Sequence, residues 1–178
     1  MSVRLFAAVD LPSDVVDALA AWSAGVAREG LRLLPPQSLH VTLAFLGHRP
    51  EEEVDDVAAA VAACASPVPG LRLAEAAWLP PRRPGVLAVD LEDGEGACGR
   101  LQERVSEALV ALGVHTPEKR RFRPHVTVAR VRKGARVHED LPEVPRLPTF
   151  AAAALTLYRS RLGPKGASYD ALSRSSLT

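Results

Sequence analysis

Apolar residues recur along this chain in two patterns, short continuous runs and stripes at helical spacing, and the two alternate. Arg4–Leu11 is a short apolar run and is expected to form a buried strand. Ser13 is placed to cap a helix, with Asp14 and Asp17 where the helix dipole favours acids. Val15, Val16, Leu19, Trp22 and Val26 carry that helix to about Arg28, and Gly30 ends it. Pro35 and Pro36 mark a loop, and Leu39–Leu46 reads as a strand. Pro50 opens a second helix with its stripe at Val54, Val57, Val61 and Cys64. Ser66–Gly70 breaks the chain, Leu71–Leu79 is a strand, and Pro80, Pro81 and Pro84 stiffen the loop after it.

The opening pattern then returns. Gly85–Leu91 is a strand, and Cys98, Leu101, Val105, Ala108, Leu109 and Leu112 form a helical stripe closed by Gly113. Pro124–Val131 is the next strand. Ala153–Arg161 and Ser168–Ser173 read as strands joined by the turn residues Gly163-Pro164-Lys165-Gly166. The recurrence extends to identity: AAVDL at 7–11 matches LAVDL at 87–91, and HVTLA at 40–44 matches HVTVA at 125–129. Each pair is strand, helix, loop, strand in the same order, which predicts two related lobes within a single domain spanning 1–178.

Composition narrows the class. At 178 residues, 47% hydrophobic and 24% charged, the chain has the make-up of a folded globular domain. No apolar run approaches the ~18 residues of a membrane span, and the N-terminal run is too short for a signal peptide, so a cytoplasmic protein without membrane attachment is expected. Cys64 and Cys98 are the only cysteines and are expected to be reduced core residues. The net charge of +1 conceals local asymmetry. Lys119–Arg136 carries Lys119, Arg120, Arg121, Arg123, Arg130, Arg132, Lys133 and Arg136 and no acid. On a near-neutral protein this suggests an anionic ligand.

The chemistry lies in the repeated strands. Residues two apart in a strand share a face. His40 and Thr42 therefore point one way and Leu39, Val41 and Leu43 the other; His125 and Thr127 match them. Two lobes facing each other would bring two imidazoles and two hydroxyls together. Near neutral pH one imidazole can accept a proton while the other donates one, each worth roughly 10²–10⁴-fold in rate. His48, His115 and His138 lack this context and are expected to be structural or exposed.

These motifs, HVTL at 40–43 and HVTV at 125–128, resemble those of the two-histidine phosphoesterases. With RLFAAVDLP at 4–12, LHVTLAFLG at 39–47, RFRPHVTVAR at 121–130 and LYRSRLGPKGASYDAL at 157–172, the chain is most similar to the RNA 2′,3′-cyclic phosphodiesterase (LigT-like, or 2′-5′ RNA ligase) branch. The resemblance implies a bilobal α+β fold, two antiparallel sheets lining a cleft with helices outside. It implies hydrolysis of RNA 2′,3′-cyclic phosphate ends to 2′-phosphomonoesters without a metal; no cofactor and a monomeric chain acting on RNA are expected, although nothing in the sequence itself fixes the oligomeric state. His125 would take the proton from water and His40 would give one to the leaving 3′-oxygen. Thr42, Thr127 and Arg130 would hold the phosphate, and Phe45 would stack on the terminal base. Strict alternation objects to two of these assignments: it turns Phe45 and Arg130 away from the histidine face, unless twist or a bulge redirects them.

Other readings compete. Gly94-Glu95-Gly96-Ala97-Cys98-Gly99 matches a dinucleotide-binding fingerprint, but its flanking acids would repel a pyrophosphate. A metal hydrolase would need a third ligand near the histidines. A catalytically silent RNA-end binding module and an ATP-independent RNA ligase would use the same cleft.

Overall fold

The computed structural model of the chain describes residues 1–137 and 140–178; His138 lies outside them. Its strands are β1 (Ser2–Asp10), β2 (Leu31–Leu33), β3 (His40–Pro50), β4 (Leu71–Leu79), β5 (Val86–Asp93), β6 (His125–Val131), β7 (Ala154–Gly163) and β8 (Gly166–Ser176). The helices are α1 (Ser13–Val26), α2 (Val54–Ala63) and α3 (Ala97–Ala111).

The strands pair in the order β4-β5-β6-β3-β1-β7-β8, all antiparallel, with β2 on β6. The two expected sheets are thus joined into one, and the joint is a single residue pair, Val41 opposite Val126. Beyond that pair β3 and β6 part, and β2 takes up the edge that β6 would otherwise leave open, Leu33 facing Ala129 and Leu31 facing Val131. A three-residue strand carries too little periodicity to read in a sequence, and its role is to shape the cleft. This is an α+β fold, as expected.

The helical stripes seat the helices on the sheet. Val15, Leu19 and Val26 of α1, Val57 and Val61 of α2, and Cys98, Leu101, Val105 and Leu109 of α3 are buried in one core with the sheet residues. Leu112 is 43% exposed because α3 has ended before it. There Gly113 adopts φ 71°, its N–H donates to the Val110 carbonyl, and the Val114 N–H donates to the Leu109 carbonyl. These two hydrogen bonds satisfy carbonyls that the last turn of the helix leaves free.

The helix starts differ from expectation. Ser13 is the first helical residue of α1 and makes no side-chain cap, since Pro12 occupies the cap position. At α3 the Asp93 carboxylate accepts the N–H groups of Cys98 at 3.2 Å and Gly99 at 2.9 Å. A carboxylate therefore sits where a pyrophosphate would lie if the glycine-rich segment bound a dinucleotide.

Candidate active site

The cleft face is set by bulges. Along β1 and β3, Ala8 faces Thr42 but Ala7 faces Ala44, so Leu43 is an extra residue. Along β5 and β6, Ala88 faces Thr127 but Leu87 faces Ala129, so Val128 is an extra residue. One extra residue reverses the alternation beyond it. Leu43 and Ala44 are both buried, as are Val128 and Ala129, and the next side chains return to the cleft. Those side chains are Phe45 and Arg130, the two that strict alternation had turned away.

His40, Thr42, Phe45, His125, Thr127 and Arg130 all line one cavity of about 320 Å³. The Val41–Val126 pair explains the meeting of the two motifs. Antiparallel register about it sets His40 toward Thr127 and Thr42 toward His125, so each histidine comes near the other lobe's threonine. Arg4 and Arg32 join Arg130 in the lining, and no aspartate or glutamate among the described residues does. Arg32 faces Arg130 directly across the β2–β6 ladder. Like charges so placed are destabilising on their own, which favours an anion between them. Arg4 and Arg32 lie outside the basic segment that the sequence singles out. Of that segment's basic residues only Arg130 lines the cavity, while Arg123 is paired with Asp90.

The two histidines are held differently. His125 Nδ1 lies 2.8 Å from the Arg123 carbonyl, which can only accept, so Nδ1 is protonated and the lone pair of the neutral ring is on Nε2. His40 Nε2 lies 3.1 Å from Thr42 Oγ1. The His40 ring stacks on Phe6 with centroids 4.9 Å apart, and the edge of Tyr169 closes in at 5.4 Å. Burial among these rings lowers the His40 pKa to about 4; Asp10 and a hydrogen bond with the Ser38 backbone oppose the shift, and His125 and Arg130 add to it. The cleft by itself therefore keeps His40 neutral at pH 7.

Each histidine also has an aspartate opposite it in its ladder, Asp10 for His40 and Asp90 for His125. Asp10 accepts from Thr156 Oγ1 at 2.8 Å, Tyr158 OH at 2.6 Å and Arg174 Nε at 3.0 Å. Burial and the bond to Asp10 hold the Tyr158 hydroxyl well above its ordinary range, so it stays a donor. Asp90 takes Arg123 Nε at 2.8 Å, which steadies the residue whose carbonyl holds His125. Sequence reasoning passed over both aspartates, yet they are the D of the two matched pentapeptides.

The remaining candidates fall elsewhere. His115 Nδ1 meets the Phe45 carbonyl at 3.1 Å, and His48 lies opposite Arg4 on β3. Both cysteines are free; Cys98 is buried, which pushes its thiol up to about 12, and Cys64 is half-buried. Among the described residues no group of three or more His, Cys, Asp or Glu side chains is placed to hold a metal ion.

An antiparallel sheet that brings two His-x-Thr strands to one arginine-lined cavity defines a two-histidine fold. Residues 11–164 match the model of the 2′-5′ RNA ligase superfamily, and the chain belongs to that family. A Thermus thermophilus protein named RNA 2′,3′-cyclic phosphodiesterase is 33% identical, covering 98% of this chain and 90% of its own. A protein of the same name from Aeropyrum pernix is 31% identical over 75% of this chain and 74% of its own. Among solved structures, a protein from T. thermophilus superposes with a TM-score of 0.80 at 33% identity, covering 98% of this chain and 97% of its own. E. coli LigT in apo form superposes with a TM-score of 0.79 at 26% identity, over 99% of this chain and 98% of its own. No helix among the described residues is long and apolar enough to cross a membrane.

Proposed function

We propose that this protein hydrolyses RNA 2′,3′-cyclic phosphate ends to 2′-phosphomonoesters, with the two histidines as the acid–base pair and no metal in the step. The observation that carries this reading is the convergence of both His-x-Thr motifs on a cavity walled by three arginines and, among the described residues, no carboxylate. The names of the relatives agree with it.

A cyclic phosphate in the cavity meets Thr42, Thr127 and Arg130 through its non-bridging oxygens. His125 Nε2, with its lone pair free, takes the proton from an attacking water. The water oxygen bonds to phosphorus, the bond to the 3′-oxygen breaks, and His40 protonates that oxygen. The proton left on His125 returns to His40 through solvent. The arginines stabilise charge as it grows on the phosphoryl oxygens.

His40 must be charged to donate, and the cleft alone keeps it neutral, with its pKa at about 4. The substrate supplies the difference. A negative charge ~4 Å from the ring is worth about 4 kcal/mol at the effective dielectric of a protein surface. About 1.4 kcal/mol moves a pKa by one, so a bound phosphate raises the His40 pKa back toward the neutral pH range and lets the ring carry the proton it must donate. The same lowered pKa also favours a second reading in which His40 is the base and His125 the acid.

A substrate with sulfur in place of the 3′-oxygen separates the two, because a thiolate leaves with little help from an acid. Turnover by His40→Ala should be largely restored with it and turnover by His125→Ala should not. Restoration of His125→Ala instead reverses the roles. Analysis of the products of a cyclic-phosphate oligonucleotide tests the activity itself: a 2′-phosphomonoester supports hydrolysis, and a joined strand would support ligation.

A further inference from the structure

Beyond its single pairing at Val41, β3 has no strand beside it on the side that faces β6. β6 begins at His125, so the stretch of β3 that follows Val41 runs beside α3 and the segment after it instead. That stretch holds the Leu43 bulge and Phe45. Backbone carbonyls on an open strand edge need partners from elsewhere. Side chains of the other lobe supply two: Gln102 Nε2 of α3 donates to the Leu43 carbonyl at 3.4 Å, and His115 Nδ1 donates to the Phe45 carbonyl at 3.1 Å. A carbonyl only accepts, so His115 carries a hydrogen on Nδ1.

The two bonds stand on either side of Ala44 and so bracket the bulge that turns Phe45 into the cleft. The Phe45 side chain does little to fix its own backbone: the ring is largely exposed and meets Phe6 at a tilt, with centroids 5.9 Å apart. His115 is fixed by its neighbours. Gly113 turns the chain at φ 71°, the Val114 N–H closes the end of α3 on the Leu109 carbonyl, and the Val114 side chain is buried. A firm donor thus meets a strand edge that has no ladder of its own there.

We propose that His115 and Gln102 are positioning residues that hold the β3 bulge, and with it Phe45, in place for the base of a bound nucleotide. This role rests on the phosphodiesterase reading above, with Phe45 under the terminal base. The platform of one lobe is then set by the other, through two residues that lie outside both His-x-Thr motifs and do not line the cavity. Their effect is confined to the base, because the phosphate is held by Thr42, Thr127 and Arg130.

The test compares two probes, adenosine 2′-phosphate, which has a base, and inorganic phosphate, which has none. His115→Leu removes the donor, whereas His115→Asn keeps an N–H at the same branch of the side chain. His115→Leu should weaken adenosine 2′-phosphate about 3- to 10-fold, the worth of one hydrogen bond, and leave phosphate unchanged. His115→Asn should bind both probes nearly as the wild type does. Gln102→Leu, which leaves the loop untouched, should act in the same direction as His115→Leu and more weakly. In a Phe45→Ala background His115→Leu should cost nothing further. Equal weakening of both probes, an undiminished loss in the Phe45→Ala background, or no loss in His115→Leu overturns the positioning role. Phe45→Ala by itself reports on the platform: if it leaves adenosine 2′-phosphate binding unchanged, the base-platform reading fails and the positioning role with it, whereas a loss in Phe45→Ala with none in His115→Leu sinks the positioning role alone.

Discussion

Phe45 and Arg130 occupy the same place in the two lobes. Each lies three residues past a motif threonine, beyond a one-residue bulge, and lines the same cavity. Their ladder partners correspond as well, Phe6 for Phe45 and Val86 for Arg130. The backbone is thus symmetric where the chemistry is not: one lobe offers a 58% exposed ring and the other a guanidinium. A nucleotide has the same asymmetry, with a flat base on one side of its sugar and a charged phosphate on the other.

Exchange of function between these two positions should therefore fail in distinct ways. Phe45→Ala should raise KM for a cyclic-phosphate nucleotide by roughly 5- to 100-fold, the worth of about 1–3 kcal/mol of base stacking, with a smaller change in kcat. Arg130→Gln should instead lower kcat, because its charge matters most when the phosphoryl oxygens carry extra charge. Steady-state kinetics on the two variants check this. The same KM effect from both would mean that they share one binding role.

The burial of His40 couples stability to pH. In the unfolded chain its pKa is near ~6.5, and in the fold it is about 4. Between those values the unfolded state binds the proton and the folded state does not, so stability falls as pH drops from about 6.5 toward 4. The full effect is at most about 3 kcal/mol, reduced by the ring's opening onto the cleft. His40→Gln should flatten this slope in urea titrations across the window. Asp10→Asn should steepen it, because Asp10 opposes the shift. An unchanged slope in His40→Gln would place the acid sensitivity elsewhere.

Salt dependence separates the cavity arginines from the basic segment. Affinity for single-stranded RNA falls with log salt at a slope of about −0.7 per phosphate neutralised. Arg4→Gln should make that slope shallower. Paired substitution of Arg120 and Arg121 by Gln, at exposed positions outside the cavity lining, should leave it as it is. Equal loss from both would return the segment to the RNA interface.

The parts of this site that were legible from sequence are those that local rules govern. The helical stripes at Val57 and Val61 and at Leu101, Val105 and Leu109 are buried as their spacing requires, and the matched pentapeptides mark equivalent strands. What alternation misplaced, Phe45 and Arg130, it misplaced for one reason: a bulge adds a residue without altering the composition of the strand. The charge of the cavity was legible only in part. Arg4 and Arg32 are far from Arg130 in the chain and reach it through β1 and β2, and a sheet order is not written in any one segment. Asp10 and Asp90 were visible in the repeat itself but carry meaning only once each stands opposite a histidine.

The most direct measurement is turnover of a 2′,3′-cyclic-phosphate oligoribonucleotide in EDTA by wild type, His40→Ala, His125→Ala and the double variant. A metal-free two-histidine mechanism predicts full wild-type activity under chelation and a loss of at least ~10²-fold in each single variant. The double variant should lose little more than either single one, because the two histidines act as a unit. Near-normal turnover by either single variant, or loss of wild-type activity to EDTA, would contradict that mechanism.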